Sequence, residues 1–248
     1  MKLGTSFYKT KLTILLAATI SVLSACNKDR ICIKGKGPLI TKTRALTDFN
    51  SLEMEMDANV IWHYDSVYRC EVEAQENLFE FLEIETKGMT LCIQKKRLTT
   101  IRKSLPITFH VYSPKAEGVS VSGSGSVQLE KGLQVVDLSI NISGSGNVSS
   151  KCAIENSVDV NISGSGKLDL SSNQVCAKAK YKMSGSGDLN AFGFVTKQVD
   201  ANISGSASMK IYVTEHLDAN ISGSGKIIYK GNPKVNSKIS GSGKVEGF

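Results

Sequence analysis

Three histidines, six cysteines and a set of recurring serines are the side chains here whose types suit acid–base, metal or nucleophilic chemistry. His63, His110 and His216 lie in three separate segments. No H-x-x-x-H or H-x-x-E spacing turns two donors onto one face, so each reads as an ordinary strand residue. Cys32, Cys70, Cys92, Cys152 and Cys176 stand 38, 22, 60 and 24 residues apart, without the close pairs of a zinc site. They read as small buried residues, with one disulfide open to them and no catalytic thiol. The serines recur as Ser-Gly-Ser-Gly, and windows such as Gly123-Ser124-Gly125 superficially match a nucleophile elbow. An elbow needs a strand-to-helix turn with His and acid partners, and a phosphate cradle needs a following Lys-Ser/Thr and helix. Neither accompanies these serines, so no catalytic residue, metal ligand or cofactor site is assigned.

Cys26 has a different chemistry available. Lys9 and Lys11 precede the apolar run Leu12 to Ile20, and Ser21-Val22-Leu23-Ser24-Ala25 leads to Cys26. A charged start, a short apolar middle and small residues before a cut site describe an export signal, and the run is too short for a membrane span of about 20 residues. Leu23-Ser24-Ala25-Cys26 also resembles the bacterial lipobox, which implies cleavage before Cys26 and diacylation of its thiol. Acyl chains at about 0.8 kcal/mol per buried methylene would anchor the protein stably. Asn27 rather than Asp follows the Cys, which favours the outer membrane, with periplasmic and surface-facing orientations both open.

The formal charge of +7 falls to +4 once Lys2, Lys9 and Lys11 leave with residues 1–25, and the electrostatic case for nucleic acid binding goes with it. Hydrophobic residues at 41% with only 4 prolines exclude a collagen-like or disordered chain.

The elements that would position any site come from a repeat. The serine marks begin at 122, 143, 163, 184, 204, 222 and 240, with Ser-Gly-Ser-Ala in the fifth. A period near 20 over half the chain signals stacked units. Before the marks, Val136, Leu138, Ile140 and Ile142 alternate with polar residues, as do Val158, Val160 and Ile162, then Ala179, Tyr181 and Met183, Val199, Ala201 and Ile203, and Leu217, Ala219 and Ile221. That is the strand period, with one side inward. After each mark a second apolar position recurs, at Val127, Val148, Leu168, Leu189, Met209, Ile227 and Val245. One unit cannot bury its own apolar side, but units stacked about 4.8 Å apart form a continuous column. The expected fold is all-β, a parallel β-helix or solenoid with coils of about 20 residues. The first glycine of each mark, Gly123, Gly144, Gly164, Gly185, Gly205, Gly223 and Gly241, is assigned to a coil corner. Residues 1–25 form the signal, 26–44 the lipidated Cys and a tether, 45–118 a less regular β segment and 119–248 the repeat. Within 45–118, Met54 to Tyr64 alternate, Lys87-Gly88 marks a hairpin turn and Asn77 to Phe81 forms one helical turn.

Outward positions in the repeat form polar rows. Four and two residues before the marks stand Ser139 and Asn141, Asp159 and Asn161, Lys180 and Lys182, Asp200 and Asn202, Asp218 and Asn220, and Asn236 and Lys238. Stacking makes them a surface stripe, read either as solvated ladders or as a grip for a glycan or cation.

Several segments resemble the auto-transporter adhesin head GIN domain family. They are Phe49-Asn50-Ser51-Leu52, Asp57-Ala58-Asn59-Val60, Glu76-Asn77-Leu78, the repeated Ile-Ser-Gly-Ser-Gly, and the ending from Leu217 through Tyr229-Lys230-Gly231-Asn232-Pro233. The resemblance implies a β-helical protein at the cell envelope and brings no catalytic residues with it. The expectation is a non-catalytic envelope lipoprotein, an adhesin or glycan-binding module. Its partners would be the membrane, through the N-terminal lipid, and a glycan or another envelope or host surface component. A polysaccharide-acting β-helix enzyme and a purely structural periplasmic protein are the alternatives.

Overall fold

The computed structural model describes residues 31–248, so Cys26 and the export signal lie outside it. The N-terminal elements are β1 (Ile31–Lys34), β2 (Leu39–Ala45), β3 (Ser51–Met54), β4 (Asn59–Tyr64), β5 (Arg69–Gln75), a 3-10 turn (Glu76–Phe81), β6 (Leu82–Lys87), β7 (Thr90–Lys95), β8 (Thr99–Arg102) and β9 (Thr108–Ser113). The repeat supplies β10 (Gly118–Gly123), β11 (Ser126–Leu129), β12 (Val135–Gly144), β13 (Asn147–Ser150), β14 (Ile154–Gly164), β15 (Lys167–Ser171), β16 (Cys176–Gly185) and β17 (Asp188–Gly205). It ends with β18 (Ser208–Gly223), β19 (Lys226–Lys230), β20 (Lys234–Gly241) and β21 (Lys244–Gly247).

These strands wind into a parallel β-solenoid with coils of about 20 residues. The residues before the marks form one side, where β3, β10, β12, β14, β16, β17, β18 and β20 pair in parallel in that order. The residues after the marks form a second side, from β4 through β11, β13, β15, β17, β18 and β19 to β21. Register matches like with like: Ile142, Ile162, Met183, Ile203, Ile221 and Ile239 are successive partners. Val127, Val148, Leu168, Leu189, Met209, Ile227 and Val245 form the second inner column. Slipping any coil by one residue would turn these side chains to water, so burial itself holds the register.

The ladder does not begin at the repeat. Val119 pairs with Leu52 and Val127 with Val60, so β3 and β4 already make a coil in register. Beyond it, β7 and β9 add one more parallel strand to each side, and antiparallel strands then cover them: β6 on β7, and β5 followed by β2 on β9. The stretch read as a tether, 26–44, thus carries two docked strands in its described part, because β1 also pairs with β8. Gln75 Nε2 donates to the Gly37 carbonyl at 2.9 Å and Asn77 Nδ2 to that of Lys34 at 2.9 Å, holding the Gly- and Pro-containing bend between the two strands. The turn at Gly88 joins β6 and β7, with φ of +59°.

One inward assignment is corrected. Val136 is 54% exposed and Val135 is buried, because a bulge between Val135 and Asp137 shifts the alternation by one residue.

At the corners, the first glycines of all seven marks have φ between +107° and +123°, a range from which a Cβ is sterically excluded. From the second mark on, an added Cβ would also meet the preceding coil: at Gly223 it would lie 2.5 Å from the Gly205 carbonyl oxygen.

Candidate ligand-binding face

Consecutive coils bring the outward residues before the marks into two rows. Ser139, Asp159, Lys180, Asp200, Asp218 and Asn236 are partners in one; Asn141, Asn161, Lys182, Asn202, Asn220 and Lys238 in the other. In the second row Asn161 Nδ2 donates to Asn141 Oδ1 at 3.3 Å and Asn220 Nδ2 to Asn202 Oδ1 at 3.1 Å. Lys182 interrupts this amide ladder and Lys238 ends it.

The Asp200 and Asp218 carboxylates face each other across adjacent coils. Each accepts from an amide: Asn202 Nδ2 lies 2.6 Å from Asp200 Oδ1 and Asn236 Nδ2 3.0 Å from Asp218 Oδ1. Lys180 is the cross-strand partner of Asp200, and His216 Nε2 lies 3.7 Å from Asp218. Among the described residues no three His, Cys, Asp or Glu side chains gather around a metal-sized space.

Beside the amide row runs an open groove of about 660 Å³. Its walls are Asn161, Lys182, Asn202, Asn220 and Lys238 on one side and the mark serines Ser163 to Ser240 on the other; the side chains of Ile162, Met183, Ile203 and Ile221 between them point into the core, and only Ile239 at the open end is exposed. Two parallel polar rows, one of amides and ammonium groups and one of hydroxyls, suit an extended ligand that offers hydroxyls at a regular spacing.

The buried thiols are not poised for nucleophilic work. All five described cysteines are unpaired, and Cys70, Cys152 and Cys176 are buried. Burial pushes the Cys70 thiol up to about 12 and raises those of Cys152 and Cys176. A nucleophile needs the opposite shift.

Two of the three histidines, in contrast, meet. His63 Nε2 and His110 Nδ1 lie 3.1 Å apart, and His63 Nδ1 is 3.0 Å from Glu130 Oε2. Pairing of β4 with β9 makes this contact across 47 residues of chain. Parity places each histidine outward, since Trp62-His63-Tyr64 and His110-Val111-Tyr112 each put one out of phase with a buried neighbour, but nothing in the spacing pairs the two.

The comparisons with known proteins bear on this architecture. The family model described as "Putative auto-transporter adhesin, head GIN domain" matches residues 48–233. The chain belongs to the head GIN domain family. A protein of Parabacteroides distasonis, described as a "putative lipid binding protein", is 26% identical with a TM-score of 0.72, the match covering 88% of this chain and 100% of that one. A "putative adhesin" of Bacteroides fragilis is 22% identical with a TM-score of 0.78, covering 87% and 100%. One of Parabacteroides merdae is 24% identical with a TM-score of 0.64, covering 88% and 99%. No curated protein sequence matches the chain significantly.

Proposed function

We propose that this head GIN domain is a non-catalytic, lipid-anchored envelope protein whose groove beside the Asn161–Lys238 row holds an extended glycan. The observation that carries the reading is the groove itself, with a polar side chain on each wall at every coil. Side-chain amides and serine hydroxyls both donate and accept, which matches sugar hydroxyls, and Lys182 and Lys238 favour a glycan bearing acidic groups. Membership in an adhesin family supports the same reading. The test is binding of envelope and host polysaccharides, neutral and acidic, to the native protein and to Lys182→Ala/Asn202→Ala/Asn220→Ala. Native binding that drops at least tenfold in the triple variant is expected. Equal binding by both, or none by either, overturns the assignment.

The anchor is tested separately. Cys26→Ala is expected to move the protein from the membrane to the soluble fraction, since the thioether can form only at a Cys thiol. A variant that still sediments with outer membrane overturns the lipoprotein reading. Protease treatment of intact cells then distinguishes surface from periplasmic orientation.

A further inference from the structure

The His63–His110 contact lies on the side formed after the marks, away from the groove. Parallel pairing sets Ile61 opposite His110 and His63 opposite Tyr112, so the two imidazoles are diagonal neighbours on the outward face. Their rings are inclined by only 13°, with centroids 5.4 Å apart, and they meet edge to edge through nitrogen. A carboxylate accepts but does not donate, so the Glu130 contact puts a hydrogen on His63 Nδ1. In neutral His63 the Nε2 lone pair is then aimed at His110, whose Nδ1 donates to it. Tyr112 packs against the His63 ring at 4.9 Å. Arg69 covers the Tyr112 ring at 3.6 Å and is itself held by Asp65 and Glu71. Glu71 is also the cross-strand partner of His110.

We propose that His63 and His110 bind a single divalent ion of the copper, nickel or zinc class, with Glu130 as the group that orients His63. Imidazole nitrogen suits these ions. The two nitrogens point at each other in the metal-free hydrogen bond, so both rings must turn to admit an ion; with metal–nitrogen bonds of about 2.0–2.1 Å they then hold it at an N–metal–N angle of roughly 100° for a 3.1 Å separation. The ion takes the place of the hydrogen on His110 Nδ1: that proton leaves to solvent while Nε2 takes one up, so the ring stays neutral with its hydrogen on Nε2, and no electron changes hands. A carboxylate on the far nitrogen of a ligating histidine fixes its tautomer and raises its basicity, and Glu130 stands in that position. Glu130 and Glu71 bring negative charge to a +2 ion, while Arg69 is neutralised by Asp65 and Glu71. Both rings are half-buried, so the remaining coordination positions open to water or to an outside ligand.

The experiment is a Ni²⁺ titration of tag-free protein by calorimetry, with Trp62 fluorescence as a second readout. Nickel is chosen because it leaves the free thiols in their reduced state. Trp62 is the only tryptophan and immediately precedes His63, so an ion at this site quenches it. One ion per chain with quenching is expected. Binding should be lost in His63→Gln and in His110→Gln, be weakened about tenfold in Glu130→Gln, and stay unchanged in His216→Gln. Melting curves of the variants establish that each is folded before its titration is read. Absence of binding up to millimolar Ni²⁺, or equal binding by the folded His63→Gln and His110→Gln variants, overturns the site. So does loss of binding confined to His216→Gln.

Discussion

At the first coils the ladder is covered by strands unlike the repeat: β6 lies antiparallel on β7, and β5 and β2 lie antiparallel beyond β9. Beneath them Phe49 packs between Trp62 and Tyr68 at 5.8 and 5.5 Å, and Trp62 donates to Ser113 Oγ at 2.8 Å. At the last coil, β20 and β21 pair on one side only, with β18 and β19, and no other described strand takes their outer edges. Ile239, sixth in a column of buried partners, is 45% exposed there. Interior coils satisfy one another, so the same few residue types serve at each level; an end has no such neighbour. At the covered end, one-of-a-kind aromatic contacts do the work. At the other, Lys234, Lys238 and Lys244 punctuate the free edge, and lysine there discourages unwanted strand pairing.

The largest effect that would sharpen this contrast is expected inside the stack. Gly223→Val puts a branched residue at φ of +123° with its Cβ 2.5 Å from a carbonyl oxygen. A loss of about 3–6 kcal/mol in urea unfolding follows from strain plus overpacking. Gly123→Ala, where φ is +117° but nothing lies within 4 Å of the new Cβ, should lose only about 1–2 kcal/mol. Equal losses at the two positions would show that the stacking contact contributes nothing.

Next come the ends. Phe49→Ala at the covered end removes a fully buried ring and should cost about 3–5 kcal/mol. Ile239→Ala at the open end, already half in water, should cost under about 1.5 kcal/mol. Comparable losses in the same denaturation experiment would break the distinction between the two ends.

A smaller effect concerns Ala207, which stands where the other marks carry their second glycine. A Cβ at Gly146, Gly166, Gly225 or Gly243 would meet a β-branched side chain of the preceding coil: Val121, Ile142, Ile203 or Ile221, at 2.5–2.6 Å. The matching residue before Ala207 is Met183, an unbranched residue between Ile162 and Ile203 in its column, and a flexible thioether chain yields where isoleucine cannot. Ala207 is therefore no licence for alanine at the neighbouring coil. Gly225→Ala should lose about 1–3 kcal/mol, and Gly225→Ala/Ile203→Met should recover part of it, read as a coupling in a double-mutant cycle. Strict additivity would show that Met183 makes no allowance for Ala207.

The smallest effect lies in the core beside it. The Tyr181 hydroxyl is buried beside the Thr196 hydroxyl without closing a well-formed hydrogen bond to it, and burial raises the Tyr181 phenol. Tyr181→Phe should stabilise the protein by up to about 1 kcal/mol by removing a desolvated hydroxyl. Destabilisation on thermal melting would mean that the hydroxyl has a partner after all.

The repeat carries most of its structure in its own spacing. Residues one period apart become neighbours, so the inner columns from Ile142 to Ile239, the outer rows from Asp159 to Lys238 and the corners from Gly123 to Gly241 could be placed by counting from the marks. Parallel stacking preserves phase, which is why a one-dimensional pattern was enough. Counting fails wherever a contact has no period. The bulge that exposes Val136 depends on a local ladder slip, and the docking of β1 and β2 depends on free strand edges made by β8 and β5. The approach of His63 to His110 and Glu130 depends on loop paths that bring β4, β9 and β11 side by side. Such contacts leave no trace in residue spacing because the intervening chain can be of any length; only the closed three-dimensional path decides which side chains meet.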